Sequence, residues 1–105
     1  MTVQLIATAT RPSTDIPWHN YSNDKGFYMN DPYYLLNWHG SSKLISMTSS
    51  ISEDGLSGTI IREFSDWQAL DEYVADANLL PARILMTTYH KSVGIETINL
   101  ETKEI

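Results

Sequence analysis

The sequence contains no cysteine. This absence excludes a disulfide framework, a thiolate nucleophile and every zinc site built from Cys ligands. The chain also lacks an apolar run close to the ~20 residues that a membrane-spanning helix needs. Its first five residues lack the basic start and apolar core of a signal peptide. We therefore expect a cytoplasmic protein that does not enter a membrane.

Basic residues are scarce and scattered. The 105 residues include 7 Lys and Arg against 13 Asp and Glu, which gives a net charge of −6. Nucleic-acid binding depends on clustered cations that neutralise phosphates, so we expect no nucleic-acid partner. The basic residues occur singly, at Arg11, Lys25, Lys43, Arg62, Arg83, Lys91 and Lys103.

Motifs for cofactors and metals are absent too. There is neither a Gly-rich phosphate loop nor a Gly-x-Ser-x-Gly nucleophile elbow. The histidines, His19, His39 and His90, have no ligand-like spacing and would meet only through the fold. Isolated histidines are more often polar surface residues than ligands, so we expect no metal and no cofactor.

The composition is that of an ordinary globular protein. Apolar residues make up 42% of the chain and charged residues 19%, which is too apolar for a disordered segment. A chain of this length forms one domain. We therefore expect a single domain over residues 1–105.

The clearest predicted element is a helix over residues 65–77. Apolar residues recur there at helical spacing and predict one buried stripe. Ser65 is a suitable N-cap, and Gln68 three residues later completes a capping box. Pro81 and the residues before it predict the end of this helix. The stripe consists of Trp67, Leu70, Val74 and Ala77.

Alternating apolar and polar residues predict the strands. Asp54-Gly55 predicts a hairpin turn, and Asp31-Pro32 predicts the start of a short helix. The residues from 102 onward are predicted to fray. The predicted strands cover residues 2–10, 43–52, 57–64, 83–91 and 95–100.

This order of elements predicts an α+β fold. A β-α-β-β-α-β series is the ferredoxin-like pattern, in which helices cover one face of an antiparallel sheet. Residues 12–30 form a long loop in this scheme, and loops of this length are unusual in a compact domain. Because the loop is rich in aromatic residues, we expect it to pack on the body of the protein or on a partner.

Residues 58–76 resemble the strand-then-helix core of dimeric α+β barrel proteins, which include the antibiotic-biosynthesis-monooxygenase-like domains. In that core, a helix with Trp near its start and Tyr or Phe two turns later follows a strand, as Trp67 and Tyr73 follow Phe64 here. The resemblance implies that two ferredoxin-like subunits pair their sheets into one barrel. It therefore implies a homodimer, with a pocket between sheet and helices in each subunit.

The resemblance also bears on catalysis. Cofactor-free oxygenases of the family use an Asn and a Trp four residues apart at this junction; Trp67 matches, whereas Glu63 occupies the Asn position. The haem-degrading members use an Asn on the first strand and a His on the second helix. Here the first strand has Gln4, and residues 65–77 contain no His. Both catalytic sets are incomplete.

The favoured functional hypothesis is a small homodimer that binds an apolar or aromatic small molecule. One alternative is a non-catalytic interaction or assembly protein that uses residues 13–30, and another is a cofactor-independent monooxygenase-like enzyme. The candidate ligand-binding residues are Trp67, Trp38, His39, His90, Tyr34 and Asp71. The candidate interface residues are Trp18, Tyr21, Phe27 and Tyr28.

Overall fold

The computed structural model describes residues 1–19 and 28–105. In these ranges the strands are β1 (Val3–Thr10), β2 (Leu44–Ile51), β3 (Ser57–Phe64) and β4 (Glu96–Glu104). The α-helices are α1 (Pro32–Asn37), α2 (Trp67–Ala75) and α3 (Leu80–Val93). Short 3-10 turns lie at Tyr28–Asn30 and Ala77–Leu79.

The strands form one antiparallel sheet in the order β2-β3-β1-β4. The two central strands, β1 and β3, are separated along the chain by α1 and β2, and β4 returns beside β1 after α2 and α3. This is the ferredoxin-like arrangement, so the predicted α+β fold class is confirmed. No helix in the described ranges is both long and apolar enough to cross a membrane.

The hairpin between β2 and β3 forms where Asp54-Gly55 predicted it. Gly55 has a φ of 74°, a backbone conformation that glycine adopts without a steric cost. One carboxylate oxygen of Asp54 accepts hydrogen bonds from the Ser52 hydroxyl at 2.6 Å and from the Leu56 N–H at 3.0 Å. The turn is therefore fixed by local hydrogen bonds.

The start of α2 differs from the predicted capping box by one residue. Asp66, not Ser65, is the N-cap, and its carboxylate accepts a hydrogen bond from the Ala69 N–H at 2.8 Å. The carboxylate also lies at the positive end of the helix dipole, where a negative charge is favourable. Because Asp76 caps the other end, the helix stops at Ala75, two residues before the predicted boundary.

The buried face of α2 also differs from the predicted stripe. Its buried residues are Ala69, Leu70 and Tyr73, whereas Trp67 is 40% and Val74 55% exposed. The two sets share Leu70 but point in different directions around the helix axis. Tyr73 takes the place in the core that the apolar pattern assigned to Val74, because a buried tyrosine ring contributes a large apolar surface.

Residues 83–91 form a helix, so the strand predicted there is wrong. The segment contains several β-branched and aromatic residues that favour strands, but α3 spans Leu80–Val93. Pro81 lies in its first turn, where the missing N–H of proline costs nothing. Gly94, with a φ of 81°, ends the helix in the left-handed conformation.

The end of the chain is a strand, so the fraying predicted from residue 102 onward is also wrong. Strand β4 runs to Glu104, and it pairs with β1 in antiparallel register from Thr10↔Glu96 to Val3↔Glu104. The Ile105 N–H donates to the Thr2 carbonyl at 2.9 Å. Backbone pairing with β1 holds these residues despite their charged, exposed side chains.

The described part of the predicted 12–30 loop packs on the body of the protein. The Tyr89 hydroxyl on α3 donates to the Pro17 carbonyl at 2.6 Å, and the Arg11 guanidinium donates to the Ile16 carbonyl at 2.7 Å. The ring of Trp18 lies under the Arg11 guanidinium, 4.7 Å from its carbon. The interface candidates Tyr21 and Phe27 lie outside the described residues.

Candidate ligand-binding site

The two faces of the sheet have different environments. Alternate residues of β1 and β3 point to the helices, and two of them, Val3 and Phe64, are fully buried against α1 and α2. The same alternation directs Arg62 of β3 to the helix side, directly opposite Leu5 on β1. The helix-facing side of the sheet therefore carries one charged residue within an otherwise apolar stretch of β3.

Arg62 is buried, with 8% of its surface exposed. Its Nε–H has no hydrogen-bond partner among residues 1–19 and 28–105, and no carboxylate in those ranges forms an ion pair with it. An unpaired buried donor costs about 1–3 kcal/mol, and more when it is charged. Such a group in a folded protein requires an explanation.

Tyrosine rings surround the Arg62 guanidinium. Its carbon lies 5.1 Å from the centre of the Tyr28 ring and 5.8 Å from that of Tyr73, within the range of cation–π attraction. The Tyr28 ring in turn lies 5.5 Å from the Tyr34 ring and 6.2 Å from the Tyr73 ring, centre to centre. We call Arg62, Tyr28, Tyr34 and Tyr73 the arginine–tyrosine cluster.

A second arginine, Arg83 of α3, borders this cluster. Its guanidinium donates to the Tyr73 carbonyl at 2.6 Å and to the Val74 carbonyl at 3.1 Å. These are among the carbonyls that the end of α2 leaves unpaired, and a cation is favourable at that end of a helix. Its Nε–H also donates to the Tyr28 hydroxyl at 3.2 Å. Arg83 therefore joins the end of α2 to the cluster.

Burial raises the pKa of two tyrosine hydroxyls in the cluster. Tyr73 is 3% exposed, and its hydroxyl has no hydrogen-bond partner in the described ranges. Burial raises the pKa of Tyr73 above its usual value, and the nearby Arg62 charge only partly opposes this. Burial likewise raises the pKa of Tyr34, against the charge of Arg62 and a side-chain hydrogen bond with it. Both hydroxyls are therefore neutral at physiological pH and can donate a hydrogen bond.

An incompletely covered apolar strip lies beside Arg62. Leu5, Ala7 and Ile60 share the helix-facing side of β1 and β3, and each is only half-buried. Leu100, the β4 partner of Ala7, is 65% exposed. Within helix α3, Ala82 is the one buried residue, so this helix covers little of the sheet. The helix-facing side of the sheet is therefore only partly covered next to the arginine–tyrosine cluster.

A second arrangement of polar groups lies outside the core, at Asp76. One carboxylate oxygen accepts hydrogen bonds from the Tyr33 hydroxyl at 2.7 Å and from the Trp38 indole N–H at 2.9 Å. Burial opposes ionisation, but these bonds and those from Asn78 outweigh it and lower the pKa of Asp76. A groove of about 340 Å³ passes this carboxylate and the ion pair of Lys43 with Glu72. All the polar groups of the Asp76 arrangement already have partners within the chain.

Two of the predicted ligand-binding residues lie in the core. Tyr34 is fully buried, and its hydroxyl donates to the Met47 sulfur at 3.9 Å. Trp38 is 5% exposed and packs edge-on against Tyr73, with ring centres 5.2 Å apart. Tyr34 belongs to the arginine–tyrosine cluster and Trp38 borders it through Tyr73. Their roles in binding stay predictions.

Three other predicted ligand-binding residues are exposed and do not belong to this cluster. Trp67 is 40% exposed, and its indole N–H donates to the Glu104 carboxylate at 3.1 Å. Asp71 is exposed on α2. His39 is exposed after α1, although its ring centre lies 6.1 Å from that of Tyr34. The apolar pattern placed Trp67 and Asp71 near a pocket because it misjudged the rotation of α2.

His90 lies on α3, half-buried in a groove of about 330 Å³ between the end of α3 and the start of β4. Burial lowers the pKa of His90, and a hydrogen bond to the Trp18 backbone partly opposes this. Among the described residues, no three His, Cys, Asp or Glu side chains lie close enough together to hold a metal ion.

Arg62 is not among the site residues predicted from the sequence. The signal was present, because Arg62 is two residues from Ile60 and from Phe64 in a strand whose limits were correctly predicted. Alternation therefore directs all three side chains to the same face. A single arginine on an apolar face of a central strand is rare unless it is paired or functional.

Comparison with known proteins shows the fold. No family model and no curated protein matches the sequence. The chain is similar in structure to SnoaB, a cofactor-independent oxygenase from Streptomyces nogalater, with a TM-score of 0.62 and 11% identity over 99% of this chain and 92% of that one. It is also similar to a dimeric ferredoxin-like protein from an uncultured marine organism, with a TM-score of 0.61 and 10% identity over 99% and 94% of the two chains.

A dimeric ferredoxin-like protein of unknown function from Jannaschia sp. has a TM-score of 0.52 and 14% identity, over 97% of this chain and 99% of that one. These similarities confirm the resemblance that residues 58–76 indicated. Because the identities are this low, they show a shared fold and nothing about a shared activity.

Proposed function

We propose that this protein is a homodimer that binds an apolar or aromatic small molecule on the helix-facing side of its sheet. The observation that carries the proposal is the half-buried strip of Leu5, Ala7 and Ile60 next to the arginine–tyrosine cluster. Small-molecule sites are mostly apolar and contain a few directed polar groups. Here the apolar strip and the polar groups of the arginine–tyrosine cluster lie on the same, helix-facing side of the sheet.

The remaining surface of the sheet supports the homodimer. On the face opposite the helices, Ile6 and Ile61 are directly opposite one another on β1 and β3, and each is only half-buried. The hydroxyls of Thr8 and Thr59 lie 3.1 Å apart beside them. An apolar centre with a polar surround is typical of a protein interface. Two of the similar solved structures are described as dimeric.

Ligand binding can be measured by thermal unfolding against a panel of apolar and aromatic compounds. A ligand present at 100 times its Kd stabilises the folded protein by about 2.7 kcal/mol, which raises the melting temperature measurably. We expect planar aromatic compounds to give the largest increase. If no compound raises the melting temperature at its solubility limit, the proposal is wrong.

A pair of variants locates the site. Ala7→Phe places a large ring on the half-buried strip and should remove the increase in melting temperature by occupying the ligand's space. Ala75→Phe makes the same change at an exposed position on α2 and should leave the increase intact. A ligand that stabilises both variants equally binds elsewhere.

The other two hypotheses have less structural support. SnoaB is described as an oxygenase, and the family resemblance implies a catalytic Asn where this chain has Glu63. Glu63 lies on the face opposite the helices, away from the proposed site, and Gln4 donates to it at 3.4 Å. We therefore place ligand binding before catalysis. For the interaction protein, the hydrogen bonds to Ile16 and Pro17 place the first part of the proposed contact segment on its own body.

A further inference from the structure

The arginine–tyrosine cluster and Arg83 bring two positive charges to one tyrosine ring. The guanidinium carbons of Arg62 and Arg83 lie 5.8 Å and 5.5 Å from the centre of the Tyr73 ring. In residues 1–19 and 28–105, neither arginine forms an ion pair with a carboxylate. The whole chain carries a net charge of −6, so carboxylates are plentiful, and yet none of those described pairs with either arginine.

The two arginines differ in how many of their guanidinium nitrogens have hydrogen-bond partners. Arg83 donates through all three of its nitrogens, to the Tyr73 and Val74 carbonyls and to the Tyr28 hydroxyl. It therefore has a structural role at the end of α2. Arg62 is more than nine-tenths buried, and its Nε–H donates to no partner in the described part of the chain.

Aromatic contacts and a side-chain hydrogen bond with Tyr34 leave one donor of Arg62 unsatisfied. Cation–π attraction to Tyr28 and Tyr73 reduces the cost of burying the charge. It leaves the Nε–H without an acceptor, and this is the penalty that a buried donor incurs. The Tyr73 hydroxyl has the same deficit. Arg62 and Tyr73 therefore each bury one donor that has no acceptor among the described residues, and a ligand that supplies acceptors would satisfy both.

We infer that Arg62 recognises the carboxylate of an aromatic acid whose apolar body lies on the strip of Leu5, Ala7 and Ile60. The planar guanidinium presents adjacent N–H groups in the geometry that a carboxylate accepts. Leu5 and Met47 are the cross-strand neighbours of Arg62, so the charge adjoins an apolar surface. This inference rests on the proposed function and names the chemical class of its ligand.

Two matched probes test the inference: 2-naphthoate, which is charged at pH 7, and the neutral 2-naphthamide of nearly the same shape. Isothermal titration calorimetry should give a Kd for the naphthoate at least about tenfold lower, because its ionised carboxylate forms the stronger hydrogen bond and offers two oxygens to the planar guanidinium. Equal affinities for the two probes would overturn the inference but not the proposed function. Binding of neither probe would count against both, and a wider compound panel that still shows binding would restore the proposed function alone.

Variants identify the residue responsible. Arg62→Gln should raise the Kd of the naphthoate about 10- to 100-fold and that of the naphthamide less than about threefold. Lys43→Gln removes one positive charge from an exposed ion pair and serves as the control, which should leave both Kd values unchanged. Naphthoate binding that persists in Arg62→Gln would overturn the inference.

A measurement on the unaltered protein covers the case in which Arg62→Gln does not fold. The Nε–H groups of arginines give separate signals in ¹⁵N-correlated NMR spectra. We expect naphthoate to shift the Arg62 Nε–H signal more than naphthamide does, since an ionised acceptor forms the shorter and stronger hydrogen bond with the guanidinium. An Arg62 signal that does not respond to saturating naphthoate would also overturn the inference.

Discussion

The Trp38 indole N–H donates to the Asp76 carboxylate at 2.9 Å and thereby joins the end of α1 to the end of α2. Trp38 is almost fully buried, so its N–H has no alternative partner in water. The same carboxylate oxygen accepts from the Tyr33 hydroxyl at 2.7 Å, and the other oxygen accepts from the Asn78 N–H at 3.0 Å. Asp76 therefore acts as a common acceptor for two segments far apart in sequence.

Replacing this acceptor should destabilise the fold. Asp76→Ala leaves the buried Trp38 N–H unpaired, and we expect the free energy of unfolding to fall by about 1–3 kcal/mol. Urea denaturation followed by tryptophan fluorescence measures the change. Asp71→Ala, at an exposed position on the same helix, is the control and should change the stability by less than about 0.5 kcal/mol. Equal effects of the two substitutions would contradict the structural role of Asp76.

The strands were predictable because alternation is a strong signal when one face of a sheet is buried. Residues 57–64 were predicted to the residue. Helix α3 was missed because residues 84–89 consist of apolar, β-branched and aromatic side chains that also alternate. The helical signal was weaker but present: the residues of α3 that are at least half-buried include Ala82, Met86, Tyr89 and Val93, which lie on one helical face, and Gly94 follows as a C-terminal stop.

The candidate site was less predictable than the fold. Aromatic residues identified part of it, since Tyr28 and Tyr34 were both named as candidates and both belong to the cluster. The partner from α2 is Tyr73, and the sequence pattern placed Trp67 in that position because it assigned the wrong rotation to the helix. Which side chains converge depends on helix rotation and packing, and apolar periodicity fixes these only to within about one residue.

Removing the Tyr73 hydroxyl should not destabilise the protein. Because the buried hydroxyl has no partner in the described ranges, Tyr73→Phe removes a desolvation penalty and loses no hydrogen bond. We expect the free energy of unfolding to stay within about 0.5 kcal/mol of its original value or to rise. Tyr33→Phe is the matched comparison, since it loses the 2.7 Å bond to Asp76 and should lower the stability. If Tyr73→Phe is the more harmful of the two, the hydroxyl has a partner after all.

His90 should make the stability depend on pH in a defined range. Burial holds the pKa of His90 in the folded protein below its usual value of 6.5. The unfolded chain therefore takes up the proton first as the pH falls, so the stability contribution of neutral His90 is present above about pH 6.5 and is lost progressively below it. Because His90 is only half-buried, we expect a change below about 1 kcal/mol.

The comparison with His90→Gln isolates this contribution. Urea denaturation at about pH 7.5 and pH 5.5 should show a smaller loss of stability for His90→Gln than for the original protein. This range lies above the titration of Asp76, Glu72 and Asp54, whose pKa values are all lowered in the fold. An identical loss in both proteins would assign the pH dependence to other groups.

The proposed dimer depends on the face of the sheet opposite the helices. Ile61→Lys places a charge beside Ile6 at the centre of that face, where burial of an unpaired ammonium group would oppose association. Light scattering after size exclusion should give about twice the 11.9 kDa chain mass for the original protein and the mass of one chain for the variant. Ile84→Lys makes the same change at an exposed position on α3 and should leave the dimer intact. A monomeric original protein, or a variant Ile61→Lys that remains dimeric, would rule out pairing through this face.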